Sequence, residues 1–450
     1  MIFKTKMISI LTVVVLLQLS LSVQAQQQVK VPNGWHLLDR ASDGIYGISL
    51  NKTYSELLRD KKSKTVTVAV IDSGVDTLHE DLKSILWRNV KEIAGNGKDD
   101  DKNGYTDDVY GWNFLGGKDG KSVNKDSEEA IRLYHKFKNQ TTIADQDTAT
   151  WHRLQKLVEG KPADAKRSFI ANPPKDYRGE IVKDDYYNFK DKYYGNSDVM
   201  ADFSFHGTHC SGIIGAKREN GVGIDGVAND VQIMMVRAVP DGDEHDKDIA
   251  LSIRYAVDNG AKVISMSFGK AFSPEKKWVD EAVRYAEKKG VLLVHAAGND
   301  HKDIDVEYNF PNPIYLKNGK QASNVITVGA SGDPGIGGLT ASFSNYGKKM
   351  VDVFAPGVRI YSTVPGGNTY GNASGTSMAA PVVAGLAALI LEYYPKLKPA
   401  QVKEIIIKSC VAPFDKVRKP GTKEEVALSE LCVSGGIVNA YEALKLAATY

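Results

Sequence analysis

The sequence predicts an α/β fold in which a mainly parallel central β-sheet is flanked by helices. Three observations carry that prediction. Short β-branched runs recur along the chain, helical patterns separate several of them, and polar residues capable of chemistry stand where the apolar runs stop. In a sheet wound this way, functional side chains gather at strand C-terminal ends and helix N-termini.

Residues 1–25 combine Lys4 and Lys6 with an apolar run from Met7 through Leu17 and the small residues Val23 and Ala25. That pattern predicts a signal peptide rather than a membrane anchor, because the run is short and polar residues follow it. The mature chain is then expected to begin near Gln26 and to be secreted or periplasmic. With no cysteine at the cleavage point, no lipid anchor is expected. Residues 26–63 hold one helical candidate, Thr53 to Arg59, and read as an N-terminal arm or short propeptide packed on the body.

The main domain is expected over 64–450. Its first strand, Thr65 to Ile71, stops abruptly at Asp72-Ser73-Gly74. Further strands are predicted at Val231 to Val236, Val263 to Ser267, Val291 to His295, Val325 to Val328 and Val351 to Phe354. Helices are predicted at Asp248 to Asn259, Pro274 to Lys289, Thr376 to Tyr394 and Pro399 to Ser409. A last helix, Tyr441 to Ala448, ends close to Tyr450, so no appended binding module is expected. Between about 117 and 202 the alternation breaks into a charged, tyrosine-rich stretch with helical candidates at Ser127 to Lys138 and Thr148 to Val158. It carries no unbroken core strand and reads as an insertion lying on the body.

Without Lys4 and Lys6 the 57 basic residues fall to 55, equal to the 55 acidic ones, so no charge bias argues for nucleic acid or an anionic membrane as partner. The three cysteines do not form a disulfide framework. Cys410 and Cys432 are the pair an oxidising compartment would offer each other, and spacing leaves open whether they meet.

An acidic loop at 96–114 places oxygen-bearing side chains at Asp99, Asp101, Asn103 and Asp107, with Gly104 permitting a sharp turn. Such spacing resembles the first half of an EF-hand loop and suits Ca²⁺, although the twelfth position is Tyr110 rather than glutamate. The candidate ligand set is Asp99, Asp101, Asn103, Tyr105, Asp107 and Asp108. The competing reading is a solvated acidic turn. Carboxylates this close repel unless protonated or neutralised by a cation.

Gly375-Thr376-Ser377-Met378-Ala379-Ala380-Pro381 carries one hydroxyl at the head of an apolar helix. A serine needs a base, an orienting carboxylate and oxyanion donors before it can act as a nucleophile. His206, in His206-Gly207-Thr208-His209, is the candidate base; His209 is expected to hydrogen-bond within the packed structure. Asp72, at the end of an apolar strand, suits the orienting role. Asn299, after Ala297-Gly298, offers a neutral amide donor alongside the Ser377 backbone N–H. Each residue alone has an ordinary structural explanation. Their joint appearance weakens it.

These four segments, in the order Asp, His, Asn, Ser, resemble those of the subtilisin-like serine peptidases over roughly Lys64 to Leu446. The resemblance implies a three-layer fold and a secreted serine endopeptidase acting on polypeptides through an acyl-enzyme, with no cofactor required for the chemistry. It implies that Ser267, Phe268 and Gly269 form one wall of the substrate cleft and Ala296, Ala297 and Gly298 the other. Phe268 is expected to favour apolar substrate side chains. Cys210, behind His209, is expected to be a buried packing residue, as in proteinase K-like members. The chain departs from compact members in the 134 positions between Asp72 and His206. That length is tolerable because closure entropy grows only logarithmically. The rival readings are a catalytically silent member used as an interaction scaffold and a serine esterase. The esterase order Ser, Asp, His and its second elbow glycine are both missing here.

Overall fold

The structure, a computed structural model, describes residues 31–201 and 204–450. The expected signal peptide lies outside the described residues. Seven strands form the central sheet: β1 (Val66–Asp72), β2 (Gly111–Asn113), β3 (Val231–Arg237), β4 (Val263–Met266), β5 (Leu292–Ala296), β6 (Val325–Ser331) and β7 (Val353–Pro356). Their order is β2-β3-β1-β4-β5-β6-β7, and every pairing is parallel. β1 pairs on one side with β3 and on the other with β4, so Val68 lies between Ile233 and Val263.

Side chains alternate along a strand, and β1 divides accordingly. Val66, Val68 and Val70 enter one apolar cluster, whereas Ala69 and Ile71 enter a second on the opposite face. A strand buried on both faces needs apolar residues at nearly every position, which explains why Val66 to Ile71 shows no polar alternation. The first cluster takes in the helices Phe205–Gly215, Thr376–Tyr393 and Pro399–Lys408; the second takes in Asp246–Asp258 and Lys276–Lys289. The fold is therefore a three-layer α/β sandwich. Thr376–Tyr393 is the one described helix long and apolar enough to cross a membrane; 89% of it is buried inside the protein, as the central core helix.

From β1 the chain runs to the edge strand β2, comes back through β3, and crosses β1 to reach β4. Strand order thus reverses beside β1, which opens a crevice at the C-terminal ends of β1 and β4. Three strand features escape the sequence pattern: the three-residue strand β2, an antiparallel hairpin of β8 (Ile360–Val364) and β9 (Thr369–Ala373), and a shorter one of β10 (Val417–Arg418) and β11 (Glu425–Val426).

The arm packs into the first cluster through Val31, Trp35, Leu37, Ile48 and Leu50, and Trp35 Nε1 donates to Val358 O at 3.0 Å. Its helical candidate is a short turn, Leu50–Lys52, running into a π-helical turn, Thr53–Leu57. The insertion is closed at its base, where Asn113 and Asn196 exchange backbone hydrogen bonds of 2.9 and 3.1 Å. It carries helices Glu129–Phe137, Asp145–Glu159, Ala163–Ala171 and Tyr177–Ile181. Its small apolar cluster, including Leu133, Phe137, Leu154 and Phe169, is completed by Phe272 from the body.

All three cysteines are free, so the disulfide that sequence left open between Cys410 and Cys432 is not formed. Their thiols are engaged elsewhere: Cys410 Sγ donates to Ile406 O at 3.2 Å and Cys432 Sγ to Leu428 O at 3.7 Å.

Candidate active site

Asp72 ends β1 with its carboxylate buried, and Oδ1 accepts the Ser73 N–H at 2.7 Å. His206 sits in the first turn of the helix Phe205–Gly215. Its Nδ1 lies 2.8 Å from Asp72 Oδ1 and 2.9 Å from Oδ2. A carboxylate only accepts, so Nδ1 carries the proton and Nε2 keeps the lone pair a base requires. Close approach of this helix to β1 depends on Gly207: a Cβ there would fall 2.1 Å from Gly74 O and 3.2 Å from Asp72 Oδ1.

Burial pulls the His206 pKa down, but the Asp72 carboxylate, with Cys210 beside it, outweighs burial and raises it well above the ordinary 6.5. His209 is different. It is fully buried, contacts Gly371 O through Nε2 at 3.1 Å, and burial lowers its pKa to about 4, which keeps it neutral.

Ser377 lies in the first turn of the helix Thr376–Tyr393. Four residues on, Pro381 has no N–H, so the Ser377 carbonyl lacks its usual helical partner. Ser267 Oγ donates to that carbonyl at 2.9 Å and Cys210 Sγ at 3.4 Å. In return, Ser377 Oγ donates to Ser267 O at 3.0 Å. Cys210 Sγ is also 4.0 Å from His206 Nδ1 and so stands between the two segments. Burial raises the Cys210 pKa and keeps the thiol neutral. The structure thus joins Asp72 to His206 and sets Ser377 beside them, while the Ser377 hydroxyl points to Ser267 O rather than to His206.

Asn299 follows β5. Its Oδ1 accepts the Thr376 N–H at 2.8 Å and the Thr376 hydroxyl at 3.0 Å. A backbone N–H can only donate, which identifies the facing atom as oxygen and leaves Nδ2 as an outward donor. Among the described residues no protein group accepts from Nδ2.

Ser267-Phe268-Gly269 continues β4, and Ala296-Ala297-Gly298 ends β5, so the parallel pairing of these strands brings the two expected walls side by side. The Phe268 ring is largely buried in the second apolar cluster, 6.4 Å from the His295 ring. Sequence reasoning missed Asn309, whose Nδ2 donates to Ala296 O at 3.3 Å and Ala297 O at 2.9 Å. Its Oδ1 lies 2.7 Å from where a Cβ on Gly269 would be, so this carboxamide fills the gap between the walls.

The acidic loop does not gather its six expected residues into one cluster. Glu92, Asp99 and Asp101 each present an oxygen within 4.8 Å of the others, close enough for all three to reach one Ca²⁺ at about 2.4 Å. Glu92 precedes the acidic run and was not identified from spacing. Asp107 instead accepts backbone N–H groups of Gly95, Asn96 and Gly97. Asp108 is fully buried and accepts from Asn89, Asn103 and Tyr255; burial pushes its pKa up to about 6. Asn103 is turned to Asp108, and the Tyr105 ring packs against Trp112 and Tyr255.

Several known proteins are similar to this chain. The chain is 43% identical over 216 residues to a "Thermophilic serine proteinase" of Bacillus sp. (strain AK1), covering 48% of each protein. It is 28% identical over 398 residues to "Subtilisin-like protease 1" of Plasmodium falciparum, covering 84% of this chain and 45% of that one. It is 44% identical over 187 residues to "Thermitase" of Thermoactinomyces vulgaris, covering 41% and 60%. The chain spans about half the length of the first two relatives. A solved structure described as "Proteases from Pseudoalteromonas arctica" shares the fold at TM-score 0.54 and 21% identity, over 92% of this chain and 98% of that one. The sequence model of the Subtilase family matches residues 63–430, and the chain belongs to that family.

Proposed function

We propose that this chain is a serine endopeptidase in which Ser377 is the nucleophile, His206 the general base and Asp72 the orienting carboxylate. Asn299 Nδ2 and the Ser377 N–H are the oxyanion donors. The observation that carries the reading is the bonding of His206 Nδ1 to both Asp72 oxygens, at 2.8 and 2.9 Å, which holds Nε2 free as a base.

A peptide lying along Ser267–Gly269 presents backbone N–H groups to that segment, and one of them competes for Ser267 O, the acceptor the Ser377 hydroxyl uses at 3.0 Å. Released from it, the hydroxyl turns about its Cα–Cβ bond towards His206 Nε2. Nε2 takes the proton as Oγ attacks the carbonyl carbon, and Asp72 stabilises the imidazolium, consistent with the raised His206 pKa. The oxyanion forms beside Asn299 Nδ2, with the positive end of the Thr376–Tyr393 helix adding to the field. His206 then protonates the departing amine. Water, deprotonated by the same Nε2, attacks the acyl carbon, and as the bond to Ser377 Oγ breaks His206 returns the proton to Oγ.

Glu92, Asp99 and Asp101 are the residues proposed to hold a structural Ca²⁺. The ion would neutralise mutually repelling carboxylates and so stabilise the loop, taking no part in peptide cleavage. A secreted or periplasmic location follows from the leader-like residues 1–25. The names of relatives do not decide it, since they include a "Cell wall-associated protease" and a "Major intracellular serine protease", both of Bacillus subtilis.

A fluorophosphonate probe tests the central claim. The folded protein is expected to be labelled at Ser377, and Ser377→Ala to abolish labelling. Absence of labelling in folded wild-type protein refutes the peptidase reading.

A further inference from the structure

The wall segment Ser267-Phe268-Gly269 is anchored at both ends. At its start, Ser267 and Ser377 are bonded in both directions. At its end, the next three residues are all held by the insertion. The buried Lys270 ammonium lies 2.9 Å from Glu129 Oε2, 2.9 Å from Asp246 Oδ1 and 2.7 Å from Glu244 O. Arg153 donates to Ala271 O at 3.0 Å, and Phe272 completes the insertion's apolar cluster.

The loop after β3 is gripped by the same helix of the insertion. Arg132, bonded to Glu129 at 2.8 Å, donates to Asp243 O at 3.1 Å and Glu244 O at 3.3 Å. The Glu129 N–H donates to Asp243 Oδ2 at 2.8 Å. Asp126 N and Asp241 O, and Asp241 N and Asn124 O, pair at 2.9 Å each. One buried carboxylate, Glu129, therefore ties the segment after β4 to the loop after β3. A buried group shared by two cations resists displacement, because any movement leaves a charge without its partner in the interior. These contacts are those of a fixed part of the body, not of a lid.

We infer that the insertion is a positioning element of the substrate cleft, with Glu129 the positioning residue that sets where Ser267–Gly269 lies for an extended peptide. The inference rests on the peptidase reading above and names what the insertion does for that site. A substrate that runs along the wall depends on the placement of Ser267–Gly269, whereas a small ester that meets only Ser377, His206 and Asn299 does not. Misplacing a binding segment by about 1 Å can cost about a hundredfold in rate.

The test compares Glu129→Gln and Arg153→Gln with the wild-type full chain. The first keeps the shape of the side chain and removes its charge. The second removes the donor to Ala271 O from a half-buried position and serves if the first does not fold. Two substrates are used, an extended chromogenic peptide and a single-residue thioester, together with the rate of fluorophosphonate labelling. The expected result is a fall of about tenfold or more in kcat/KM for the peptide, carried by KM, with thioester turnover and labelling within about twofold of wild type. Unchanged peptide kinetics in a folded variant overturn the inference. So does a parallel loss on both substrates, which is the mark of a general structural defect. Wild-type protein that resists labelling refutes the peptidase reading itself, whereas labelled wild type with either of the preceding results refutes only the role of the insertion.

Discussion

Asn299 is proposed to combine two separable jobs, and two substitutions pull them apart. Its Oδ1 accepts two hydrogen bonds from Thr376, at 2.8 and 3.0 Å, at the head of the serine helix, while its Nδ2 faces outward as a donor. Asn299→Ala removes both functions. Two hydrogen bonds at about 1 kcal/mol each put the stability loss at about 2 kcal/mol, tempered by the exposure of this residue. Loss of the proposed oxyanion donor should lower kcat by about 10²–10³-fold, or about 3–4 kcal/mol, the usual effect of removing one such donor. Asn299→Asp keeps an oxygen towards Thr376 and places a negative charge near a helix N-terminus, which is favourable by about 0.3–1 kcal/mol. It replaces the donor, however, with an anion facing the developing oxyanion. The aspartate variant should therefore melt at or above the wild-type temperature while losing at least as much kcat as alanine. Melting is measured in a Ser377→Ala background to prevent autolysis, and kcat and KM with a chromogenic peptide in the active background. A kcat within about threefold of wild type in Asn299→Ala, or equal destabilisation by both substitutions, refutes the reasoning.

The acid limb of kcat/KM should have its midpoint above 6.5, because the base acts only when neutral and Asp72 favours its charged form. In Asp72→Asn the limb should move below 6.5 as burial prevails, together with a large loss of kcat. By linkage, the stabilisation from the His206–Asp72 pair is complete below 6.5 and is lost as pH rises through the raised folded-state pKa, a trend visible in melts of Ser377→Ala across that range. Gly207→Ala drives a methyl group to 2.1 Å from Gly74 O, so a cost of about 1–3 kcal/mol and a rate loss of about a hundredfold are expected in melts and peptide assays. Chelation should lower the melting temperature of wild type and added Ca²⁺ restore it, with both responses lost in Glu92→Gln/Asp101→Asn. Denatured, unreduced protein should titrate three thiols, and reduction should leave the melting temperature unchanged.

What the sequence reveals and conceals here follows from the range of the forces involved. The run Val66 to Ile71 is legible because a strand buried on both faces must be apolar at each step, a constraint written into consecutive residues. Asp72, His206, Asn299 and Ser377 are legible because each sits at a boundary where glycine or proline and a change of polarity mark the turn. Glu92 carries no such mark: it reaches Asp99 and Asp101 through a loop whose turns are shaped by the side chains themselves, including Asp107 accepting from Gly95, Asn96 and Gly97. Asn309 is hidden for a related reason, since its neighbours Ala296, Ala297 and Gly269 are brought to it by the pairing of β4 with β5. The insertion is the most instructive case. Its buried charges are not marked in local sequence, because each local pair, Glu129 with Arg132 and Arg178 with Asp184, is completed by a partner from the body. Glu129, Arg178 and Asp184 are buried by Lys270, Asp248 and Lys247, which lie from 63 to 141 positions away. A charged stretch with aromatic residues and no strand of its own can therefore be interior, and what decides it is whether the body supplies complementary charges. Here it supplies them directly after β4 and in the segment that follows β3, the two stretches that border the candidate cleft.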